Sequence, residues 1–401
     1  MDNKFSTFQE LNRQSKGRKI CLFGAGNIAH KTLRKLNKQA YCIFDNSANL
    51  WGTQQVGLDV FGPGDIKASD SSFFYVICTT SFSDVAAQLR GLGLKDGMDF
   101  IISPILNDLR VIDEMESVKV SLLLSSGTQP NDDPISGGGL YRLDINGLEY
   151  NIQKIFSGSC HSIIKIKGEL FTVDDELGII KLDDQFNPIV MGSIPKGSRG
   201  HGLSYHEASD SYFVACSYLD KVLRFDHNFR IIQEYPLSAK ANYENGPYHH
   251  TNDCLVVGDS LYVSMFSETG NWKRDIFDGA VVEFDIDSGE KIGPVMKHLW
   301  MPHNISFIDG SLTVLDSLRG GLVRNNAQTV GQFPAFARGL DYDGTNFYIG
   351  QSRNRNFSKN LGVSLNISID TGVVIFDEVT KVSRTIQLPS TISEIHGIKI
   401  I

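Results

Sequence analysis

"MPHNISFIDGSLTVLDS" (residues 301–317) reads as a β-hairpin. Two apolar runs, "ISFI" and "SLTVLD", flank the pair Asp309 and Gly310, and Asp-Gly between alternating apolar residues is a strong hairpin pattern. His303 and Asn304 stand at the head of the first run. A polar imidazole in front of an apolar strand is unusual, so we searched the chain for further copies of the pattern.

The hairpin recurs along the chain, and each copy begins with a polar residue. In four of the five copies that polar residue precedes the start of the second strand by 8 residues, and in the copy headed by His201 it precedes it by 10. Each copy then continues into an apolar third strand. The five heading residues are His161, His201, Asn252, His303 and Arg338.

A sixth copy is split between the two sides of the repeat region. The chain ends in "EIHGIKII" (394–401), a strand headed by His396 that has no partners after it. Suitable partners lie upstream, in "VKVSLLLSS" (118–126) and the two apolar runs that follow it. Five whole units and one split unit predict an all-β six-bladed β-propeller over residues 117–401, closed by the C-terminal strand.

The six heading residues define a candidate site. Because the inner strands of a propeller surround one channel in the same direction, their first residues meet at one mouth of it. We name this set the histidine ring: His161, His201, Asn252, His303, Arg338 and His396. Strand alternation places His250 on the same face as Asn252.

The chemistry of the histidine ring favours metal binding. Imidazoles around one axis are typical ligands of manganese, zinc, iron or nickel, and the predicted ligands are His161, His201, His303 and His396. The ring is similar to that of metal-dependent propeller lyases, in which histidines and an amide hold manganese at a channel mouth. The alternative is a water-filled channel lined by polar groups.

Four residues are predicted to act on a substrate at this mouth. Arg338 would bind a carboxylate or phosphate. His303 and His250 would transfer protons as neutral imidazoles, and Asp253 is a candidate general base. An acid beside a strand start is as often a turn former, so a structural role for Asp253 stays open.

The N-terminal part of the chain has a different pattern. "KICLFGAGNIAHKTLRKLNKQAYCIFDNS" (19–47) reads as strand, glycine turn, helix and strand. Gly24 permits the tight turn, and Gly26 and Asn27 stand where a phosphate approaches the backbone. Asp45 closes the second strand, where a ribose-binding acid is expected. These features predict an α/β Rossmann-like nucleotide-binding domain over residues 1–112.

Composition narrows the function. The net charge of −8 and the lack of a basic stripe argue against nucleic-acid binding. The chain shows neither a membrane-span pattern nor a secretory leader, and its six cysteines are scattered without a Cys-x-x-Cys pair. We therefore expect a cytoplasmic protein with reduced thiols.

The run to residue 104 resembles the small Rossmann-like domain of bacterial sugar-nucleotide-modifying enzymes, such as sialic-acid-type acetyltransferases and sugar C-methyltransferases. The matching motifs are "FGAG", "FDNS", "GLDVFGPGDI" and "YVICTT". In the acetyltransferases this domain holds the uridine nucleotide of the substrate. The C-terminal part resembles a bacterial propeller family of unknown function.

Together these features predict an enzyme that modifies a nucleotide-linked sugar or glycan precursor for a bacterial surface polysaccharide, by metal-assisted elimination or epimerisation. One alternative is a nicotinamide-dependent (NAD) oxidoreductase acting on a sugar. Another is a non-catalytic scaffold that binds a glycan or a protein. The substrate, the metal and the oligomeric state stay open.

Overall fold

The protein was analysed as a computed structural model that describes residues 6–36, 39–242, 246–274, 276–325, 328–353 and 370–401. The chain divides into two compact units, Met1–Glu114 and Met115–Ile401. None of the described helices is long and apolar enough to cross a membrane. All six cysteines are buried and free.

The N-terminal unit alternates strands and helices. Its strands are β1 (Lys19–Phe23), β2 (Cys42–Phe44), β3 (Gln54–Gln55), β4 (Leu58–Phe61), β5 (Phe73–Ile77) and β6 (Phe100–Ile102). The helices are α1 (Phe8–Gln14), α2 (Asn27–Leu33), α3 (Phe82–Gly91) and α4 (Asn107–Glu116), of which α4 runs across the boundary between the units.

The six strands of this unit form one sheet in the order β3-β4-β2-β1-β5-β6. All of its pairings are parallel except the short β3–β4 pair. Leu11 of α1 and Ala29 of α2 pack in one apolar cluster, and Val85 and Leu89 of α3 pack in another. The central strands are buried on both faces, which explains their continuous apolar runs such as "ICLF".

The C-terminal unit is a six-bladed β-propeller, as the repeat predicted. Five blades are continuous four-stranded sheets. Their strands are β10 (Cys160–Ile166), β11 (Glu169–Asp174), β12 (Gly178–Leu182) and β13 (Pro188–Gly192) in blade 1; β14 (Gly200–His206), β15 (Ser211–Cys216), β16 (Lys221–Phe225) and β17 (Ile231–Pro236) in blade 2; β18 (Thr251–Val257), β19 (Ser260–Met265), β20 (Gly279–Asp285) and β21 (Lys291–Leu299) in blade 3; β22 (Pro302–Ile308), β23 (Ser311–Asp316), β24 (Gly321–Arg324) and β25 (Gln328–Gln332) in blade 4; β26 (Phe336–Tyr342), β27 (Phe347–Ser352), β28 (Gly372–Phe376) and β29 (Ser383–Gln387) in blade 5.

The sixth blade is closed by the C-terminal strand. Its order is β30-β7-β8-β9, with β7 (Lys119–Ser126), β8 (Gly139–Asn146), β9 (Glu149–Ser157) and β30 (Gly397–Ile400). In this pairing Gly397 lies opposite Ser125, and Ile400 lies opposite Leu122. The first strands β10, β14, β18, β22, β26 and β30 contact one another in that order and therefore surround the central channel.

The hairpin at residues 301–317 forms as predicted. Ile308 pairs with Ser311, and the two turn residues between them, Asp309 and Gly310, have φ angles of 49° and 73°. Two positive φ angles are the signature of the type I′ turn, whose twist matches that of the flanking strands. Asp and Gly accept this backbone more readily than other residues do, so the pair fixes the register of β22 against β23.

Candidate functional site

A β-bulge lies at the ring position of every continuous blade. The pairing of each first strand with its second strand shifts at or beside the polar residue that heads it. A bulge bends a strand and redirects a side chain. The shifts fall between Cys160 and Ile163, Gly200 and Gly202, Thr251 and Asp253, His303 and Ser306, and Ala337 and Leu340.

The histidine ring converges as the sequence predicted, and all six of its side chains are buried. They belong to six different blades, so the propeller fold alone assembles them. A cavity of about 10 Å³ remains among them, which is close to the space that one water molecule needs. Its lining consists of His161, Ser162, His201, Asn252, Asp253, His303, Asn304 and His396.

His161 and His201 stack face to face, with ring centroids 4.0 Å apart and an interplanar angle of 25°. The edge of His396 meets His161 at 4.7 Å. Within the described residues, neither nitrogen of His161 nor Nε2 of His201 has a hydrogen-bond partner, although Asp175 Oδ1 lies 3.5 Å from His161 Nε2. Buried polar atoms without partners are rare in folded proteins, so these imidazole nitrogens are available to a ligand.

His303 has a fixed tautomer. Its Nδ1 lies 2.9 Å from the carbonyl oxygen of Met301 and 2.8 Å from the hydroxyl of Ser317. Because a carbonyl oxygen only accepts, Nδ1 carries the proton and donates it. The lone pair of the neutral ring therefore resides on Nε2, where it is available to a proton or a metal ion.

Arg338, His396 and Glu394 form a second group. Nη2 of Arg338 donates to Oε2 of Glu394 at 3.0 Å, and Nη1 lies 2.6 Å from Nε2 of His396. The other ring nitrogen of His396 faces the N–H of Gly127 at 2.8 Å. A neutral imidazole accepts at only one nitrogen, so one of these two contacts sets a donor against a donor. A bound anion between Arg338 and His396 would remove that mismatch.

His250 reaches the ring by a route that strand alternation does not describe. It precedes β18 and has a φ of 54°, so the two-residue periodicity of a strand does not apply to it. Its ring stacks on Phe266 at 4.3 Å, lies 4.7 Å from Trp272 and lies 6.2 Å from His201. Nδ1 of His250 has no hydrogen-bond partner within the described residues.

Asp253 joins two blades. Its carboxylate accepts the backbone N–H of Ile305 in blade 4 at 2.8 Å and that of Cys254 at 2.9 Å. Burial raises the pKa of this carboxyl to about 7, against these two hydrogen bonds. The turn-forming role considered for Asp253 is replaced by a blade-linking one, and a carboxyl with this pKa also exchanges protons near neutral pH.

Asn304 likewise has a structural task. It adopts a φ of 52° at the bulge of β22. Its side chain accepts the N–H of Gly339 at 2.6 Å and donates to the carbonyl of His396 at 3.1 Å. The residue after His303 therefore holds blade 4 against blades 5 and 6.

Burial keeps all five histidines at this mouth neutral. It lowers the pKa of His161, and it lowers the pKa values of His201, His303 and His396 well below the usual range. The pKa of His250 falls to about 3. The positive charges of Arg199 and Arg338 add to the effect on His161 and His396. The mouth is therefore a set of neutral imidazoles beside two arginines, of which Arg338 is paired with Glu394, and beside the carboxylate of Asp175.

Three residues of this mouth were missed at the sequence level. Arg199 stands two residues before His201, as His250 stands two residues before Asn252, and both precede their strand with a positive φ, so a recurring sequence position and not strand alternation marks them. Asp175 and Gly127 are each the first residue after the second strand of a blade. Second strands run antiparallel to first strands and end at this mouth, which makes that position predictable as well.

The chemical type of the donor atoms suits a divalent transition metal, but their arrangement does not. Neutral imidazole nitrogens without partners are suitable ligands. The rings of His161 and His201 are stacked, however, so their lone pairs lie in nearly parallel planes. No group of three or more His, Cys, Asp or Glu side chains among the described residues is arranged to hold a metal ion. Metal binding at this mouth would therefore require rotation of the imidazoles.

Three of the four residues predicted to bind a nucleotide lie in the glycine turn (24–29), and the fourth, Asp45, directly follows β2. Gly24 has a φ of 109°, and a Cβ atom on it would lie 2.7 Å from the carbonyl oxygen of Cys78. Gly26 and Asn27 begin α2, and a Cβ on Gly26 would meet nothing within 4 Å. Asp45 accepts the N–H of Ala25 at 2.8 Å and that of Ser47 at 2.8 Å. Its carboxylate connects the glycine turn to the segment that follows β2.

Comparisons with known proteins assign no activity to this chain. A family profile described as "Domain of unknown function (DUF4915)" matches residues 249–401. A search of curated proteins finds no match.

Solved structures resemble the chain at low identity. A nidogen/laminin complex has a TM-score of 0.48 and 13% identity over 71% of this chain and 98% of that one. A protein of unknown function from Bacteroides caccae has a TM-score of 0.47 and 15% identity over 70% and 99%. Virginiamycin B lyase from Staphylococcus aureus has a TM-score of 0.37 and 12% identity over 54% and 75%. None of these matches is to a sugar-nucleotide-modifying enzyme, so that resemblance stays a prediction.

Proposed function

We propose that the propeller binds an acidic sugar at the mouth that the histidine ring forms and moves a proton next to its carboxylate, in an elimination or epimerisation of a glycan precursor. One observation carries the proposal: buried, neutral imidazoles with unpaired nitrogens lie near the guanidinium groups of Arg199 and Arg338. The guanidinium groups favour an anion, and the imidazoles supply proton acceptors beside it. Because the space among the ring side chains is only about 10 Å³, these side chains must move apart to admit the carboxylate.

Each role follows from a contact. Arg338, oriented by Glu394 at 3.0 Å, binds the sugar carboxylate. His303 accepts the proton at Nε2, because its Nδ1 is held by Met301 and Ser317. A bound carboxylate offsets the charge of Arg338, which is one cause of the low pKa of His303. Substrate binding therefore raises that pKa towards the range in which a general base works.

A divalent metal would be held by His161 and His201 after rotation of their rings, because the one lone pair of His303 is assigned to the proton. When bound it would act as a Lewis acid on the substrate's carboxylate. The test is elemental mass spectrometry of the untagged protein. We expect near-stoichiometric metal in the wild type and its loss in His201→Ala, with His227→Ala, a surface histidine, as the matched control. Absence of metal after reconstitution with each of manganese, zinc, iron and nickel would refute this part.

The reaction itself is tested by deuterium exchange. Uronic acids, free and nucleotide-linked, are incubated with the protein in D₂O, and mass spectrometry follows label entering beside the carboxylate. Both elimination and epimerisation begin with loss of that proton, so the assay covers both. We expect His303→Ala to slow exchange about 100-fold or more, which is the usual contribution of a general base. Equal exchange in His303→Ala and His227→Ala would overturn the proposal.

We also propose that the N-terminal unit is Rossmann-like and binds the nucleotide of a sugar nucleotide. Its parallel strands and the unobstructed backbone at Gly26 support this proposal. Calorimetric titration with a uridine diphosphate sugar and with NADH separates it from the oxidoreductase alternative. We expect the uridine nucleotide to bind and Gly26→Ala to weaken it about tenfold. Binding of NADH alone would favour the oxidoreductase.

A further inference from the structure

A second, much larger cavity lies in the channel beyond the histidine ring. Its volume is about 580 Å³, and in every first strand its lining residues follow the ring residue along the chain. It therefore extends towards the opposite mouth. Ser162, Asp253 and Asn304 line both this cavity and the small one at the ring, so these three residues form the partition between them. We call the larger space the wide cavity.

The two cavities differ in what they can contain. About 10 Å³ at the ring accepts a single water or ion, whereas about 580 Å³ lies within the range of small-molecule sites. The wide cavity therefore has the volume of a small-molecule site, and the space at the ring does not.

The wall of the wide cavity is rich in uncharged polar groups. Ser162, Ser204 and Ser306 lie in this wall together with Asn304, whose amide is already bonded to Gly339 and His396. Tyr205 and Tyr342 add aromatic faces near the opposite mouth. These rings are fixed by neighbours: Tyr205 packs on Tyr212 at 5.1 Å, and Tyr342 packs on Phe347 at 4.6 Å. Hydroxyl and amide groups with rigid aromatic faces suit a hydroxyl-rich ring that also has apolar C–H faces.

The charges of the wide cavity do not favour an anion. Lys399 and Asp341 form an ion pair at 3.0 Å. The other charged lining residues are Lys165, Asp309 and Asp253. Two lysines against three aspartates give a net charge of −1, or zero when Asp253 is protonated. At the histidine ring, Arg199 and Arg338 are likewise balanced by the carboxylates of Asp175 and Glu394, so net charge does not distinguish the two ends of the channel.

We propose that the wide cavity is a separate binding site for a neutral sugar of one or two rings, with Asp253 and Asn304 as its floor. This site stands independently of the activity proposed at the ring. The volume, the hydroxyl-bearing wall, the fixed tyrosines and the balanced charge all select an uncharged polyhydroxylated ligand over an acidic one.

The test is saturation-transfer NMR of the full-length protein with glucose, galactose and N-acetylglucosamine at about 10 mM, each beside its uronic acid where one exists. We expect at least one neutral sugar to bind. Ser306→Trp, which fills the cavity, should weaken that binding at least about tenfold, and Ser306→Ala, which removes a single hydroxyl, should weaken it much less. His303→Ala, at the other end of the partition, should also leave it unchanged.

A second variant protects the test if Ser306→Trp does not fold. Tyr205→Ala removes an aromatic wall without inserting bulk, and we expect it to weaken neutral-sugar binding about fivefold or more. No binding of any neutral sugar would overturn the proposal, and so would binding that His303→Ala abolishes while Ser306→Trp does not. Failure of the uronic acids alone would instead count against the activity proposed at the ring.

Discussion

The histidine ring of the propeller and the glycine turn of the N-terminal unit are both polar sites built on apolar strands, yet they treat their polar atoms in opposite ways. At the ring, His161, His201 and Asn252 retain buried nitrogen or oxygen atoms without partners among the described residues. At the turn, one carboxylate oxygen of Asp45 accepts the N–H of Ala25 and the other accepts the N–H of Ser47, in the segment after β2.

This difference indicates where a ligand is needed. A buried polar atom without a partner costs about 1–3 kcal/mol, so several of them together are retained where a ligand or water completes them. The glycine turn has no such cost, since Asp45 completes it internally. The ring should therefore respond strongly to protons and ligands, and the turn should respond mainly to steric change.

The largest expected effect is that of acid on the propeller. The five histidines near the ring have folded-state pKa values below their unfolded value of about 6.5. As the pH falls below that value, the unfolded chain binds protons that the folded chain does not, so the free energy of unfolding decreases. For an imidazole whose folded-state pKa is about 3, such as that of His250, the loss is roughly 2 kcal/mol by pH 5.

Asp253 acts in the opposite direction. Its folded-state pKa of about 7 lies above 3.8, the ordinary pKa of an aspartate, so its contribution to stability decreases as the pH rises between these values. One carboxyl offsets only part of the effect of five imidazoles. Urea denaturation at pH 7, 6 and 5 measures the sum, and His201→Asn should reduce the slope whereas His227→Asn should not. A propeller equally stable at pH 7 and pH 5 would contradict the neutral ring.

The glycine turn should instead be sensitive to a single methyl group. Gly24→Ala forces a residue with a side chain to a φ of 109° and sets its Cβ 2.7 Å from a backbone oxygen. We expect a loss of about 3 kcal/mol from the combined strain and overpacking. Gly26→Ala is the matched control, because its Cβ meets nothing within 4 Å. Peptide-resolved hydrogen exchange measures the N-terminal unit separately, and equal losses in both variants would show that the turn is mispositioned.

The propeller could be predicted from the sequence because its information is local and repeated. Asp309 and Gly310 specify a turn, alternating residues specify two faces, and the His396 strand without downstream partners specifies closure. The identities of the ring residues followed from the constant spacing. Arg199 precedes His201 by two residues, as His250 precedes Asn252, so examining that position in every copy would have found it.

The rest of the ring could not be predicted from periodicity. A β-bulge shifts the register by one residue and leaves no mark in composition, so the orientation of His161 and the backbone of Asn304 were hidden. Gly127, directly after β7, meets His161 where blade 6 packs against blade 1, a contact that the spacing of the repeat does not describe. The internal pairing of Asp45 was likewise invisible, since a ribose-binding acid and a turn-closing acid occupy the same sequence position.

A smaller effect is expected where the closing blade meets the ring. A Cβ on Gly127 would lie 2.6 Å from Nδ1 of His161, so Gly127→Ala must displace that imidazole. We expect a loss of about 1–3 kcal/mol in the propeller, as overpacking usually costs. In a His161→Ala background the same substitution should cost almost nothing, because its steric partner is absent. A double-mutant cycle by urea denaturation gives this coupling, and an additive result would contradict the close approach.

The smallest effects should separate a paired polar group from an unpaired one. Asp45→Asn retains one oxygen for two N–H donors, so one hydrogen bond to a charged acceptor is lost, at about 1.5–3 kcal/mol before relaxation. Asn252→Leu has similar volume, removes the unpaired Oδ1 and gives up a long 3.3 Å hydrogen bond to the carbonyl of Pro302. Because a desolvated, unpaired atom disappears as well, its net change should stay within about 1 kcal/mol. Hydrogen exchange and urea denaturation measure the two units. A large loss of stability in Asn252→Leu would show that the amide is paired in solution, by a bound water or ion. The same water or ion would then also contact the neighbouring imidazoles.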